Sequence, residues 1–275
     1  MFRSDAFTPA IVALGAFALM AAGPPAARAD DLIGGIGLTH LTVYDQRPAP
    51  DGLMSGSPHV HAVTDEGYYV VSGRGRVELH DLESGFREVE LSPGRYVQFP
   101  PGVVHRLVGT ERLVLLVVMG NAGLAERGDA RIYFGRAVDE DPAEFARLTG
   151  LARSGGLEGA LDRRDAAVRA YAGLLELWAK DRKAYFRELE RFVGVHAGAA
   201  AALRGRFAEA VETGPVAWGE RFARRVKSLP VMAAGGPAPV LHVPPGEPTL
   251  GMCGLLRPVA GLEAVGPAKA PGPKR

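Results

Sequence analysis

Two segments decide how this chain is read: G-L-M-S-G-S-P-H-V-H-A-V-T-D-E-G-Y-Y-V-V-S-G at residues 52–73 and G-R-Y-V-Q-F-P-P-G-V-V-H-R-L-V-G at residues 94–109. They carry His59, His61, Glu66 and His105. His59 and His61 are two apart, so on a strand both point to one face. Glu66 follows a short polar turn at Thr64-Asp65 and opens the apolar run Tyr68 to Val71. His105 follows Pro100-Pro101-Gly102, a turn signal. Strands folded back into a barrel would bring the four side chains together. Imidazoles with one carboxylate form a donor set for a divalent first-row metal with open coordination positions.

The two segments resemble the motifs of the cupin family. The first cupin motif sets two histidines one residue apart, then four residues, a glutamate, six residues and a glycine. His59, His61, Glu66 and Gly73 meet each spacing. The second runs glycine, five residues, proline, one residue, glycine, two residues, histidine, and Gly94, Pro100, Gly102 and His105 are in register. The leading glycine, Gly52, stands one residue further out than usual, and Gly109 stands where an asparagine often closes the second motif. Both departures concern turns rather than ligands. The resemblance covers about residues 38–136. It implies an all-β jelly-roll barrel, one divalent metal held by His59, His61, Glu66 and His105, and a small-molecule ligand or substrate. The motifs do not recur, so a single barrel is expected.

The surrounding sequence agrees with a barrel. Short runs such as His40 to Tyr44, Arg76 to His80, Phe86 to Leu91 and Arg112 to Met119 are separated by Gly, Pro, Ser and Asp turns. Near Asp141 the period changes to that of a helix. Pro142 to Leu151 reads as a short helix, Gly155-Gly156 as a break, and Leu157 to Val193 as one long amphipathic helix capped by Gly194. A second helix carries Leu203, Phe207 and Val211; a third opens at Pro215 with Trp218, Phe222, Val226 and Leu229. Core packing is expected for these aromatic positions. A solvated ion-pair face is expected for Arg163, Arg164, Arg182, Arg187 and Arg191 with their acidic neighbours. The expected organisation is a leader at 1–29, the β-barrel at 30–137, an α-helical region at 138–232, and a Pro/Gly-rich C-terminal segment at 233–275, partly disordered.

Net charge is +1 over 275 residues, which carries no nucleic-acid footprint. Ala10 to Ala22 is an apolar run of signal length, and Ala27-Arg28-Ala29 offers a cleavage site before Asp30. Export to the periplasm or the extracellular space is therefore expected, with no membrane span after cleavage. Cys253 has no partner for a disulfide within the chain and reads as a buried, inert thiol.

Within the barrel, Tyr68 and Val70 share the alternation of Glu66, and Leu107 that of His105. Tyr68 is the candidate catalytic group, and Gln98, if inward, would orient a substrate. His40 and His80 lie on strands and are expected to be exposed or hydrogen-bonded; His196 and His242 have no ligand-spaced neighbour. The donor set does not separate iron, manganese, nickel, copper and zinc. The resemblance favours a metal-dependent oxidoreductase of dioxygenase or oxalate type; a non-catalytic metal or small-ligand binding protein of the cell envelope and a metal-dependent isomerase stay open, as does a homodimer.

Overall fold

Glu66, Tyr68 and Val70 are buried while Tyr69 and Val71 are exposed, so this strand has one dry face and one wet one, as period-two patterning requires. The computed structural model describes residues 32–120, 124–229, 239–242 and 247–264. The expected leader at 1–29, the last ten residues, for which disorder was expected, and the side chain of His242 lie outside the described residues.

Ten strands make up the barrel region: β1 Gly37–Val43, β2 Met54–Ser55, β3 His59–His61, β4 Glu66–Ser72, β5 Gly75–Asp81, β6 Gly85–Leu91, β7 Tyr96–Phe99, β8 Val104–Gly109, β9 Val114–Met119 and β10 Ala130–Ile132. All pairings are antiparallel. One sheet contains β1-β9-β4-β7 and the other β10-β3-β8-β5-β6, with β2 beside β8. The inner faces meet in a core that includes Leu41, Tyr68, Val70, Val77, Leu79, Leu107, Leu115 and Val117. This is the expected jelly-roll barrel followed by helices. The motif glycine Gly73 turns β4 into β5 at φ 76°, and a Cβ there would sit 1.8 Å from the Arg112 carbonyl oxygen. That close approach, together with the left-handed backbone, restricts the position to glycine.

The helices are α1 Arg136–Asp139, α2 Pro142–Lys180, α3 Arg182–Ala201, α4 Arg204–Val211 and α5 Ala217–Lys227. Asp141 caps α2 by accepting from the Ala143 and Glu144 amides. The expected break falls at Gly156, with φ 57° and ψ −138°. The expected single helix from Leu157 to Val193 is instead divided at Asp181, whose side chain accepts from the Ala184 amide and caps α3. Gly194 is no cap, since α3 runs on to Ala201. The division lets one stripe fold back on itself: Tyr171 and Leu174 of α2 cluster with Tyr185, Leu189 and Phe192 of α3. That cluster covers Val60 and Val104, which alternate with the histidines and face outward from β3 and β8. Pro215 does not open a helix; it lies in a wide π turn, Glu212–Val216, between α4 and α5. Core packing fails for α5, which buries no residue and leaves Phe222, Val226 and Leu229 exposed.

The chain then returns to the barrel. After β11 Pro239–His242, strands β12 Thr249–Leu250 and β13 Gly254–Pro258 extend the first sheet beyond β1, and β14 Ala260–Ala264 pairs with β11. Residues 249–258 fall within the segment expected to be Pro/Gly-rich and partly disordered. These strands are short and have little alternation, and β1 supplies their register from afar.

Beneath α2 the second sheet buries charge. Arg106 is 2.7 Å from Asp51 and 3.5 Å from Glu78, and its guanidinium lies over the Tyr171 ring. Removing one partner of a buried pair leaves an uncompensated charge, which costs about 3–5 kcal/mol. Arg106→Met is expected to lower unfolding free energy by about that much in denaturant titration. Adding Glu78→Gln should recover part of the loss; no recovery would show that Arg106 acts by packing alone.

Candidate metal centre

β3 and β8 are direct neighbours, with His59 opposite His105 in the register. His61 lies two residues further along β3, on the same face. Glu66 comes from the other sheet, at the start of β4. The cluster therefore joins the two sheets: three imidazoles from one and a carboxylate from the other. One donor atom from each lies within 4.8 Å of all the others, and all four residues are buried.

Each imidazole is held by its far nitrogen. His59 Nδ1 is 2.9 Å from the Ser57 carbonyl, His105 Nδ1 is 3.0 Å from the Val103 carbonyl, and His61 Nδ1 is 3.0 Å from Asp129 Oδ2. These acceptors require N–H at Nδ1, which leaves the Nε2 lone pairs facing the centre. His59 Nε2 and His105 Nε2 are 3.0 Å apart. Glu66 Oε2 is 3.0 Å from His105 Nε2 and 3.2 Å from His61 Nε2. Neither His61 Nε2 nor Glu66 Oε2 has a hydrogen-bond partner of good geometry. Donors about 2.1 Å from one ion and at right angles stand about 3.0 Å apart. The donor set, its spacing and its orphaned atoms fit a divalent metal; its identity is not determined by them.

The electrostatics agree at His59 and Glu66, while His61 is biased toward its charged form by its two carboxylates. Burial and repulsion from His105 and His61 hold the His59 imidazole well below its usual range, in the neutral form a metal needs. Burial opposes a charge on His61 too, but Glu66 and Asp129 together outweigh it and raise the imidazole to about 9. Burial alone would raise Glu66; His105 and His61 more than reverse this and keep it ionised.

Asp129 was not anticipated. It is fully buried just before β10. Its Oδ2 accepts from His61 and from the Thr64 hydroxyl, and its Oδ1 from the Ala62 and Val63 amides at 3.0 and 2.8 Å. From α3, His196 Nε2 donates to the Asp129 backbone carbonyl at 2.5 Å. An aspartate in a loop 63 residues after Glu66 carries no spacing signal.

A cavity of about 470 Å³ opens on the cluster. His59, His61 and Glu66 share it with Leu41, Val117, Ile132, Phe145, Met252 and Leu256. The helical region and the C-terminal strands thus supply part of its wall. Tyr68 points inward as expected, but it packs in the core against Phe99 and does not line the cavity. Burial, reinforced by Glu66 and Cys253, pushes its hydroxyl well up, so it stays protonated. Gln98 does not face inward; it is exposed and accepts from the Tyr96 hydroxyl. His80 is buried outside the barrel between the hydroxyls of Tyr171 and Tyr185. Cys253 is buried as expected, yet its Sγ lies 3.5 Å from His59 Nε2, at the cluster itself.

Of the arginines expected on a solvated face, Arg182 and Arg187 of α3 are exposed, Arg191 is half-buried in ion pairs with Asp139 and Glu188, and the two on α2 are not solvated. Arg163 and Arg164 are buried. Arg164 donates to Asp165 and to the carbonyls of Arg47, Ser55 and Pro48, which ties α2 to the loop before β2. A signal existed: Arg164 sits three residues after Leu161 and four before Val168, within the apolar stripe.

Residues 46–119 match the family model described as "Cupin domain". Together with the two-sheet topology this makes the barrel a cupin domain. Among solved structures, the chain is similar to a putative sugar phosphate isomerase from Acidithiobacillus ferrooxidans, at 27% identity over 30% of this chain and 49% of that one, TM-score 0.24. It is also similar to the capsular polysaccharide assembling protein CapF from Staphylococcus aureus, at 19% identity over 35% of this chain and 25% of that one, TM-score 0.28. A cupin superfamily protein from Desulfitobacterium hafniense matches at 17% identity over 30% of this chain and 64% of that one, TM-score 0.24. The chain spans about half of the first of these and a quarter of the second. No curated protein matches the chain.

Outer partners of metal-bound histidines are worth about 10–100-fold in affinity. Asp129→Asn is expected to weaken metal binding by about that factor in competition with a chelator, with the barrel still folded. Unchanged affinity would remove Asp129 from the centre.

Proposed function

We propose that this protein is a metal-dependent oxidoreductase acting on a small molecule held in the cavity beside the His59, His61, Glu66 and His105 cluster. One observation carries the reading. The cluster is the polar end of a largely apolar cavity whose other ionisable lining groups are Arg153, Arg163 and Cys253. An isomerase or epimerase needs a positioned base. The arginines are cations, and burial pushes the Cys253 thiol well up, with Glu66 adding to the effect. No further carboxylate or histidine lines the cavity among the described residues. The bound ion would supply the redox or Lewis-acid chemistry.

The chain's own residues do the rest. Asp129 fixes the His61 tautomer, and the Ser57 and Val103 carbonyls fix those of His59 and His105. The apolar walls keep water from the substrate. Tyr68 is buried where Glu66 and Cys253 both act on its hydroxyl, and it would hold a proton at the rear of the cluster.

Metal content by mass spectrometry, with oxygen uptake on small acids and phenols, tests the reading. His61→Ala is expected to lose most of the metal, all measurable turnover and part of the thermal stability, because an ion bound only by the folded state raises the melting temperature. Tyr68→Phe should keep the metal and lower turnover. Full occupancy without turnover on any substrate would favour a binding protein instead.

The apolar run Ala10 to Ala22 and the Ala27-Arg28-Ala29 site support export as part of the same proposal. N-terminal sequencing of native protein is expected to begin at or near Asp30. An intact Met1 in a cytosolic fraction would overturn it.

A further inference from the structure

α2 puts an arginine into the cavity wall without giving it a carboxylate. Arg163 is 8% exposed and lines the same cavity as His59, His61 and Glu66. Its Nη2 donates to the Gly251 carbonyl at 2.6 Å, and its Nε is buried with no partner. Among the described residues, no aspartate or glutamate forms an ion pair with it. The acidic residues nearby on α2 are taken: Glu158, Asp162 and Asp165 pair with Arg47, and Asp165 also with Arg164. Burial presses against the charge of Arg163, and only Tyr44 and Cys253 pull the other way.

A buried guanidinium whose neighbours are a carbonyl and the Tyr44 hydroxyl, with no carboxylate, is a desolvated charge awaiting a counter-charge. Holding Gly251 in place does not require it, because the Tyr44 hydroxyl already donates to that carbonyl at 2.8 Å. Arg153, exposed at the edge of the cavity, adds a second positive charge and has no ion pair among the described residues. The remaining wall is largely hydrocarbon, with Leu41, Val117, Ile132, Phe145, Met252 and Leu256, and it also carries Thr39, Thr149 and Thr249. The cavity's size, about 470 Å³, is that of a small-molecule site.

We propose that the cavity binds a small organic acid with an apolar body, its carboxylate paired with Arg163 and its hydrocarbon packed on the apolar wall beside the His/Glu cluster. This rests on the reading of the cavity as the substrate site and adds the class of substrate. A carboxylate offers two oxygens and one charge, which match a guanidinium. A phosphate brings more charge than the one buried arginine offsets, since Arg153 stands exposed.

The test is calorimetric titration of the full chain, with metal removed by chelator, using phenylacetate and hexanoate against their neutral amides. The acids are expected to bind, and each amide at least tenfold more weakly. Arg163→Gln should weaken the acids at least tenfold and leave the amides within twofold, and inorganic phosphate should not displace phenylacetate. If Arg163→Gln does not fold, the acid–amide comparison on the unaltered protein decides alone. Equal binding of acid and amide, no binding of either, or displacement by phosphate would overturn the proposal. So would acid binding that needs the metal and ignores Arg163→Gln, since the carboxylate would then sit on the ion. The readout is independent of turnover. Acid binding without oxidation leaves this inference standing and sinks the oxidoreductase reading; oxidation of neutral substrates without acid binding does the reverse.

Discussion

The buried Asp129 carboxylate is the constraint on which the rest of the site depends. Its oxygens accept from His61, Thr64 and the amides of Ala62 and Val63, so one side chain sets both a ligand and the turn that leads to Glu66. Its backbone carbonyl is held by His196 of α3. The helical region is therefore linked through two hydrogen-bonded residues to an imidazole of the cluster. A charge so deep in the fold persists because each of its lone pairs is used; burial alone would raise its pKa, and His61 and Thr64 lead the groups that lower it instead.

The helices do more than shield the barrel. α2 and α3 cover Val60 and Val104, the outward residues that alternate with ligands. By fixing the outer face of β3 and β8 they also fix the inner face, because successive side chains of a strand are rigidly opposed. α2 meets the barrel through small residues: Ala160 clusters with Tyr44, and Ala167 with Ile132 and Phe134. The same approach places Arg163 in the cavity wall and Arg164 among the carbonyls of the loop before β2. The C-terminal strands close that side, with Gly251 accepting from both Tyr44 and Arg163. Gly56 allows the contact, since a Cβ there would lie 2.6 Å from the Cys253 backbone.

What the residues determined by themselves was local. Strand alternation put His59 and His61 on one face, because it is a property of the backbone and needs no distant partner, and the resemblance to the two cupin motifs added Glu66 and His105. The same alternation correctly turned Tyr68, Val70 and Leu107 inward. The change of period near Asp141 located the helices, and Gly156 broke the first of them. Sequence reading went astray where a short-range rule had a rival: Asp181 is an N-cap inside an otherwise unbroken stripe, and Pro215 is absorbed by a wide turn.

Only the tertiary structure decided which groups surround the cluster. Asp129, Arg163 and Cys253 lie 24, 58 and 148 residues beyond His105 in the chain, and no periodicity links them to it. The expectation that Arg163 and Arg164 were solvated followed from their type, because an arginine is rarely buried without partners. Here Arg164 has, besides Asp165, carbonyl partners more than a hundred residues earlier, and Arg163 donates to a carbonyl of the turn between β12 and β13 in the returning C-terminal segment. Such long-range pairings depend on the packing of helix, loop and sheet together. A metal's ligands could be read from strand geometry, but the charge and shape of the cavity beside them come from three distant parts of the chain meeting in space.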